Sequence, residues 1–340
     1  MLQTSTEPLC DAYDLAMLDL DGVVYIGGDA VPGAAESIAL VREAGMRVAF
    51  ITNNASRSPE EVARHLVDLG VAAATADVVT SAQAAARVAR ERWGDSARVV
   101  CLGAPGLEIA LREAGLQPVG VEDDAVAVVS GYGPDLPWRA IMRAAVRVRE
   151  GLPWVASNTD RTIPTAFGVA PGHGVLVEML ARFAEVQPVV AGKPARPLLD
   201  ETVRRVGGER PLMVGDRLDT DIEGARRAGL DSLLVLTGVT GLPELVAATP
   251  ELRPTYLAAD LAGLASAHAA PEPGDDGWAL GGWECRVEGD APVVTQCGDD
   301  ATPEDWWRVV AAACWEHLDR TGAVVDITAA RVPEAGSSAR

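Results

Sequence analysis

The stretch Leu15-Ala16-Met17-Leu18-Asp19-Leu20-Asp21-Gly22 decides the fold. An apolar run that ends in acidic residues and a glycine is typical of a buried parallel strand at its carboxyl end. In open α/β sheets, ligands bind off those carboxyl ends. Asp19 and Asp21 are two residues apart, so on an extended backbone their side chains point to the same face. Taken alone, the stretch is equally compatible with a functional acidic pair and with a strand end that carries two solvated acids.

Strand and helix patterns alternate from this stretch to about residue 270. Further buried-strand patterns at 47–51, 189–191 and 212–214 each end in polar residues. Ser58 begins a helix as N-cap, with proline and two acidic residues directly after it. Strands that alternate with helices predict an α/β fold with a doubly wound parallel sheet. The block 82–186 could be an inserted α/β domain, because the pattern after it resumes that of the first part.

Size, charge and cysteine content limit the function. The chain has 340 residues, of which 48% are hydrophobic, enough for two or three domains with a large core. A net charge of −20 argues against binding to nucleic acid or to anionic membranes. No apolar stretch approaches the roughly 20 residues of a membrane span. We expect no secretory signal, because the first 14 residues lack Arg and Lys. Five scattered cysteines without a CxxC pair indicate a reduced, cytoplasmic protein.

The composition changes after residue 270. The segment 271–277 is typical of a linker, and five of the eight tryptophans follow it. Strand patterns at 278–287, 292–296 and 324–327 and a helix over 303–318 predict a small α+β domain. It could be a ligand- or protein-binding module, but a structural addition that covers the core or a dimer surface is favoured, because interface cores are rich in aromatic residues.

Polar residues at four strand ends form the candidate site. They are Asp19 with Asp21, Thr52 with Asn53, Lys193, and Asp216 with Asp221. Parallel strands bring their carboxyl ends to one edge of the sheet, so these groups can meet. Lys193 is the only lysine among 29 basic residues, which suggests that a compact point charge is needed there. An attacking carboxylate, a cation, a hydroxyl and Mg²⁺ together suit phosphoryl transfer.

Four segments carry a family resemblance that covers about residues 14–270. DLDGVVY (19–25), ITNN (51–54), GKP (192–194) and GDRLDTDIEGA (215–225) resemble, in order, the four motifs of the haloacid dehalogenase superfamily of phosphatases. The spacing is similar to that of its type IIA branch, in which a large α/β cap is inserted between the second and third motifs. The resemblance implies a Mg²⁺-dependent hydrolase of small phosphorylated metabolites that works through an aspartyl-phosphate.

The resemblance also implies a role for each acidic motif residue. Asp19 is the nucleophile and a Mg²⁺ ligand. Asp21 protonates the leaving alcohol, later activates water, and binds Mg²⁺ through its backbone carbonyl. Asp216 is the third protein ligand, and Asp221 orients metal-bound waters or Lys193.

The remaining motif residues are expected to bind phosphate. Thr52 and Asn53 hold the phosphoryl group, and Lys193 holds both that group and Asp19.

The inserted domain is expected to select the substrate. SNTDRTIP (157–164), followed by PGHG (171–174), is most similar to glycerol-phosphate and phosphoglycolate phosphatases of this branch. Asn158, Asp160 and Arg161 are the candidate substrate residues. Ordinary turn chemistry explains Asn158 and Asp160 equally well, and His173 is interpreted as a turn residue. Glycerol 3-phosphate is the first expected substrate and phosphoglycolate the second.

Two other functions are compatible with part of the pattern. A phospho-accepting signalling domain uses similar residues, but such domains have no inserted cap and no counterpart of Asp21. A dehalogenase or phosphonatase would keep the fold, but the acid at Asp21 favours phosphate esters. The expected partners are a small phosphorylated metabolite and, as one option, a second copy of the chain, with no nucleic acid and no membrane.

The domain prediction combines these observations. Its segments are a disordered N-terminus (1–13), a phosphatase core (14–81 and 187–270), the cap (82–186), a C-terminal α+β domain (271–332) and a disordered tail (333–340).

Overall fold

A computed structural model describes residues 1–165, 167–274, 277–299 and 301–333. The chain divides into two compact units. The first unit comprises Met1–Ile26, Val31–Arg47 and Glu209–Arg340, and the second comprises Gly27–Ala30 and Val48–Gly208. None of the helices in the described residues is long and apolar enough to cross a membrane.

The strands, in chain order, are β1 (Leu15–Leu18), β2 (Tyr25–Ile26), β3 (Asp29–Ala30), β4 (Arg47–Thr52), β5 (Val78–Thr80), β6 (Arg98–Leu102), β7 (Gln117–Val119), β8 (Ala127–Ser130), β9 (Trp154–Ala156), β10 (Thr162–Thr165), β11 (Gly168–Pro171), β12 (Val189–Val190), β13 (Pro211–Gly215), β14 (Asp231–Val235), β15 (Tyr256–Ala258), β16 (Glu272–Pro273), β17 (Trp278–Leu280), β18 (Trp283–Glu288) and β19 (Ala291–Gln296).

The α-helices are α1 (Leu9–Ala12), α2 (Ala34–Glu43), α3 (Pro59–Asp68), α4 (Ser81–Trp93), α5 (Pro105–Glu113), α6 (Trp138–Arg149), α7 (His173–Ala184), α8 (Pro197–Val206), α9 (Glu223–Ala228), α10 (Leu242–Val246) and α11 (Pro303–Thr321). Short 3₁₀ turns lie at Thr75–Asp77, Pro250–Leu252 and Leu261–Ala265, and a π-helical turn lies at Leu218–Ile222.

The first unit is built on parallel strands in the order β15-β14-β13-β1. Every residue of β1 is buried, as expected for a strand covered on both faces. Leu18 is paired in register with Val214, so β1 and β13 end side by side. This register places the residues that follow the two strands next to each other.

The C-terminal segment belongs to the first unit rather than to a domain of its own. Strands β16 to β19 form an antiparallel sheet, and α11 packs against it and against β15. The predicted α+β composition is therefore correct. The predicted strand at 324–327 is wrong, because those residues form no strand. Of the predicted tail, all but Pro333 lies outside the described residues.

The N-terminus is ordered, so the prediction of disorder over residues 1–13 is wrong. Leu9, in α1, is fully buried, and Leu2 is 7% exposed. Ser5 exchanges two backbone hydrogen bonds with His268. Apolar side chains that reach the core, together with this pairing, account for the order.

The second unit contains a five-stranded parallel sheet in the order β12-β9-β8-β6-β7 and the parallel pair β4 and β5. The inserted α/β domain predicted from the alternation is present. Its predicted bounds, 82–186, differ from those of the compact unit. The strand β12, predicted in the core, pairs with β9, with Val189 opposite Val155.

Helix packing explains why residues 48–81 and 187–208 group with the inserted domain. Helix α4 packs against both α5 and α8. The buried carboxylate of Glu201, on α8, accepts hydrogen bonds from Arg204 and Arg205 and lies 3.9 Å from Arg87 of α4. Burial alone would raise the pKa of Glu201, but the hydrogen bonds and charges of Arg204 and Arg205 lower it below its usual value.

Candidate active site

Three carboxylates meet at the ends of β1 and β13. Asp19 follows β1 directly, and its backbone N–H donates to the carbonyl of Val214 over 2.9 Å. Asp216 follows β13, and Asp221 stands in the π-helical turn after it. One oxygen from each of the three lies within 4.8 Å of the others. The register of two neighbouring parallel strands therefore assembles a cluster from residues about 200 positions apart.

The cluster fits a hard divalent cation. Asp216 and Asp221 are fully buried, and Asp19 is partly buried. Three carboxylates this close repel one another unless a cation lies among them or they bind protons. Carboxylate oxygens are the protein ligands that Mg²⁺ prefers, usually one or two of them together with water and phosphate oxygens. Asp221, predicted to act indirectly, lies in the same cluster as the two predicted direct ligands.

A loop after β14 holds this cluster, and the sequence did not reveal its role. The carboxylate of Asp216 accepts from the backbone N–H of Val239 over 2.7 Å. The backbone carbonyl of Asp216 accepts from the hydroxyl of Thr240 over 2.6 Å. Thr237 donates to the carbonyl of Gly22 over 2.5 Å. The available signal was a further strand end, Thr237-Gly238, with small polar residues around it.

Gly22 is required by the position of Asp216. Its φ is +84°, a conformation that L-residues rarely adopt, and a Cβ there would overlap the carboxylate of Asp216. We expect Gly22→Ala to displace that carboxylate and to weaken Mg²⁺ binding about 10- to 100-fold, as loss of supporting structure around metal ligands does. Calorimetric titration with Mg²⁺ measures this change.

Gly33→Ala is the matched control for that variant. Gly33 has a similar φ of +78°, but within the described part of the chain no atom beyond its two sequence neighbours lies within 4 Å of an added Cβ. It therefore introduces the backbone strain without the overlap. Equal losses of Mg²⁺ affinity in both variants would contradict the role given to Gly22.

Asp21, the predicted proton donor, is not among the three residues of the carboxylate cluster. Its side chain is exposed, and its backbone forms an isolated bridge with Tyr25. An exposed carboxyl group on the turn that follows Asp19 can exchange protons with substrate and water. The prediction that Asp21 binds the metal through its carbonyl stays a prediction.

The predicted phosphate-binding residues lie in the second unit and are buried. Thr52 is 5% exposed, Asn53 8% and Lys193 1%. The hydroxyl oxygen of Thr52 accepts from the backbone N–H of Asn54 over 3.0 Å. The side-chain amide of Asn53 is engaged by Lys193 and Asp160. A bond from Asn53 to a phosphoryl group would therefore come from its backbone N–H.

The candidate substrate residues of the inserted domain have protein partners. The side-chain oxygen of Asn158 accepts from the N–H of Asp160 over 3.2 Å, which is the predicted turn chemistry. Arg161 is exposed and forms an ion pair with Glu178 at 2.7 Å. The side chain of His173, 3% exposed, lies 2.9 Å from the carbonyl of Asn158, so Nδ1 carries the proton and donates. Burial lowers the pKa of His173 to about 4, which keeps the ring neutral.

Comparisons with known proteins agree with this geometry. Residues 16–117 match the haloacid dehalogenase-like hydrolases, and residues 190–264 match a second family of the same kind, described as HAD-hydrolase-like. The D-glycerol 3-phosphate phosphatase of Mycobacterium tuberculosis is 42% identical over 319 residues, 91% of this chain and 87% of that protein. An acid sugar phosphatase of Staphylococcus saprophyticus is 35% identical over 253 residues, 73% of this chain and 95% of that protein.

Solved structures are similar as well. The glycerol phosphate phosphatase of Mycobacterium tuberculosis in complex with magnesium superposes with a TM-score of 0.82 at 42% identity, over 92% of this chain and 93% of that one. The 4-nitrophenylphosphatase of Thermotoga maritima gives a TM-score of 0.70 at 31% identity, over 76% and 98% of the two chains.

The chain belongs to the haloacid dehalogenase-like hydrolases. Within that class it is a phosphomonoester hydrolase, and the predicted type IIA resemblance is confirmed. The alternative of a phospho-accepting signalling domain finds no support in these relatives.

Proposed function

We propose that the protein hydrolyses glycerol 3-phosphate. The observation that carries the chemistry is the cluster of Asp19, Asp216 and Asp221, two of them fully buried, at two adjacent strand ends. The substrate is supported by the likeness to the mycobacterial D-glycerol 3-phosphate phosphatase, which extends over 91% of this chain. Phosphoglycolate, or another small phosphorylated metabolite, is the second candidate.

The proposed reaction has two steps on Asp19. A carboxylate oxygen of Asp19 attacks phosphorus, the bond from phosphorus to the glycerol oxygen breaks, and Asp21 protonates the departing alcohol. Asp21 then takes a proton from water, whose oxygen attacks phosphorus. The bond from Asp19 to phosphorus breaks, which releases inorganic phosphate and restores both acids.

Bound at the cluster, Mg²⁺ would neutralise negative charge that would otherwise oppose attack by a carboxylate on a phosphate. Asp19, Asp216 and Asp221 would hold it. The binding of phosphoryl oxygens by Thr52, Lys193 and the backbone of Asn53 stays a prediction, as does the cytoplasmic location.

A substrate panel tests the proposal. Purified protein is assayed with Mg²⁺ on glycerol 3-phosphate, 2-phosphoglycolate, sugar phosphates and nucleoside monophosphates, and again after chelation. We expect the highest kcat/KM for glycerol 3-phosphate and no turnover without a divalent metal. A higher kcat/KM for any other ester of the panel would overturn the proposed substrate.

A second copy of the chain is the proposed protein partner. Six exposed apolar side chains form two stripes on neighbouring helices, which we name the α6/α7 patch; they are Trp138, Met142, Val146, Val175, Met179 and Phe183. Arg149 lies over the ring of Phe183, 5.2 Å from its centroid. Contiguous exposed apolar area is typical of interaction sites, and a single patch can pair with itself across a twofold axis.

Met142→Glu is expected to convert a dimer to a monomer, because it places two charges at the centre of such an interface. Light scattering coupled to size exclusion measures the mass. Leu40→Glu is the control, since Leu40 is 52% exposed on α2 and lies outside the patch. A monomeric wild-type protein would contradict the proposed dimer, and the same mass for both variants would contradict the α6/α7 patch as its interface.

A further inference from the structure

The side-chain amide of Asn53 joins three segments of the second unit. Its Oδ1 accepts from the backbone N–H of Lys193 over 2.8 Å. Its Nδ2 donates to the carbonyl of Lys193 over 3.0 Å and to the carboxylate of Asp160 over 2.9 Å. A carboxamide has two N–H donors, and both are used here. Asn53, which directly follows β4, thus holds the backbone of one predicted phosphate-binding residue and the side chain of a predicted substrate residue.

The arrangement defines the orientation of the amide. The backbone of Lys193 offers both an N–H and a carbonyl to this side chain. Only the amide oxygen can accept from the N–H, and only the amide nitrogen can donate to the carbonyl. Gly192 permits this approach, because a Cβ there would lie 2.6 Å from Oδ1 of Asn53. The contact is buried, with Lys193 1% exposed.

The backbone of Asn53 ties in the same segments. Its carbonyl accepts from the hydroxyl of Ser81 over 2.5 Å and from the side-chain amide of Asn158 over 2.6 Å. Asn158 in turn receives the Nδ1 proton of His173 at its carbonyl over 2.9 Å. The segment that carries Asp160 is therefore fixed at several points, and its position is transmitted to Asn53.

We propose that Asn53 is a positioning residue that couples Asp160 of the inserted domain to Lys193. Asp160 holds one N–H of the amide, which orients the other N–H and the oxygen toward the backbone of Lys193. This coupling rests on the proposed role of Lys193 in binding the phosphoryl group. It gives Asp160 an effect on catalysis for every phosphate ester, whatever the alcohol.

The test uses 4-nitrophenyl phosphate, whose alcohol is an aromatic ring without the hydroxyls of glycerol. The comparison among variants then holds whether or not glycerol 3-phosphate is the substrate. In Asn53→Asp the oxygen that accepts from Lys193 remains, but both donors are lost and the new carboxylate faces Asp160. We expect kcat to fall about 100-fold, as for misplacement of a catalytic group by about 1 Å.

The decisive test exchanges the carboxamide of Asn53 and the carboxylate of Asp160. Asp160→Asn keeps an oxygen that can accept from Asn53, so kcat is expected to stay within about threefold of wild type. In the double variant Asn53→Asp/Asp160→Asn the hydrogen bond can form with donor and acceptor exchanged. Its kcat is expected to be about tenfold above that of Asn53→Asp, a coupling that independent sites do not show. A double variant no more active than Asn53→Asp overturns the proposal.

A third variant, Asp160→Ala, covers the case in which Asn53→Asp does not fold. It removes the bond from Asn53 to Asp160 but leaves both bonds between Asn53 and Lys193 possible. Thermal unfolding identifies that case. We expect kcat on 4-nitrophenyl phosphate to fall about tenfold with KM unchanged, because Asn53 is then held by Lys193 alone and its side chain is less firmly positioned. If Asp160 only contacted the substrate alcohol, kcat on this ester would be unchanged and KM for glycerol 3-phosphate would rise, which would overturn the proposal.

Discussion

Replacing Asp19 by asparagine is expected to lower kcat for phosphate esters by at least about 10⁴-fold, because an amide cannot form the phosphoryl-enzyme and removal of a covalent catalytic group costs this much in other enzymes. The fold should be retained, since Asp19 is only partly buried and its backbone bond to Val214 does not involve the side chain. Single-turnover kinetics with Mg²⁺ measure the loss.

The same variant has a second expected effect on stability. Asp19 is one of three carboxylates within 4.8 Å, so its neutralisation reduces repulsion in the metal-free protein. We expect a metal-free thermal midpoint at or above that of wild type, and a smaller rise on addition of Mg²⁺.

Asp219→Asn is the control for the loss of one acidic charge nearby. Asp219 lies in the same π-helical turn as Asp221, but it is 64% exposed and pairs with Arg217 at 2.9 Å. Its kcat should match wild type. Turnover by Asp19→Asn within tenfold of that control would remove Asp19 as nucleophile.

Much of the carboxylate cluster could be predicted from the sequence, because parallel strands impose a common geometry on their ends. Asp19 and Asp216 each directly follow an apolar run, and the register of β1 with β13 then brings them together. The apolar runs, and the glycine that follows the first acidic pair, are local signals of a buried strand and its end. The pairing of β1 with β13, about 200 residues apart, is supplied by the parallel topology that the alternation of strands and helices predicts.

Other parts of the site depend on contacts that no local pattern encodes. The sequence around Asn53 does not distinguish a side-chain amide that binds phosphate from one that binds the backbone of Lys193. Only the folded structure shows that it binds Lys193. The loop that holds Asp216 through Val239 is recognisable only once β14 is placed beside β13. The boundary at residues 208 and 209 depends on helix packing, which alternation along the chain does not report.

The C-terminal segment shows this dependence most clearly. Trp315, on α11, is fully buried in one cluster with Leu218 and Ile222, which flank Asp221, and with Leu234 of β14. Its indole N–H donates to the carbonyl of Leu245 over 2.7 Å. The segment after residue 270 therefore supports the turn that carries Asp221, and deletion of residues 271–340 would remove part of the core of the first unit.

Trp315→Ala is accordingly expected to lower the free energy of unfolding by about 3–5 kcal/mol, the cost of removing a buried tryptophan from a core. Denaturant titration measures this loss. Trp315→Phe keeps an aromatic ring but leaves the carbonyl of Leu245 without its donor. It should lower the free energy of unfolding by about 1–3 kcal/mol. Because Leu218 and Ile222 lose their packing partner, Mg²⁺ affinity should fall as well.

Phe167→Ala separates this effect from the loss of any aromatic side chain. Phe167 is 87% exposed, so its truncation should change stability by no more than about 0.5 kcal/mol and leave Mg²⁺ affinity unchanged. If Trp315→Ala changed stability and Mg²⁺ affinity as little as Phe167→Ala, the C-terminal segment would not contribute to the core of the first unit. If it lowered stability but left Mg²⁺ affinity at the wild-type value, the segment would stabilise the first unit without supporting the turn at Asp221.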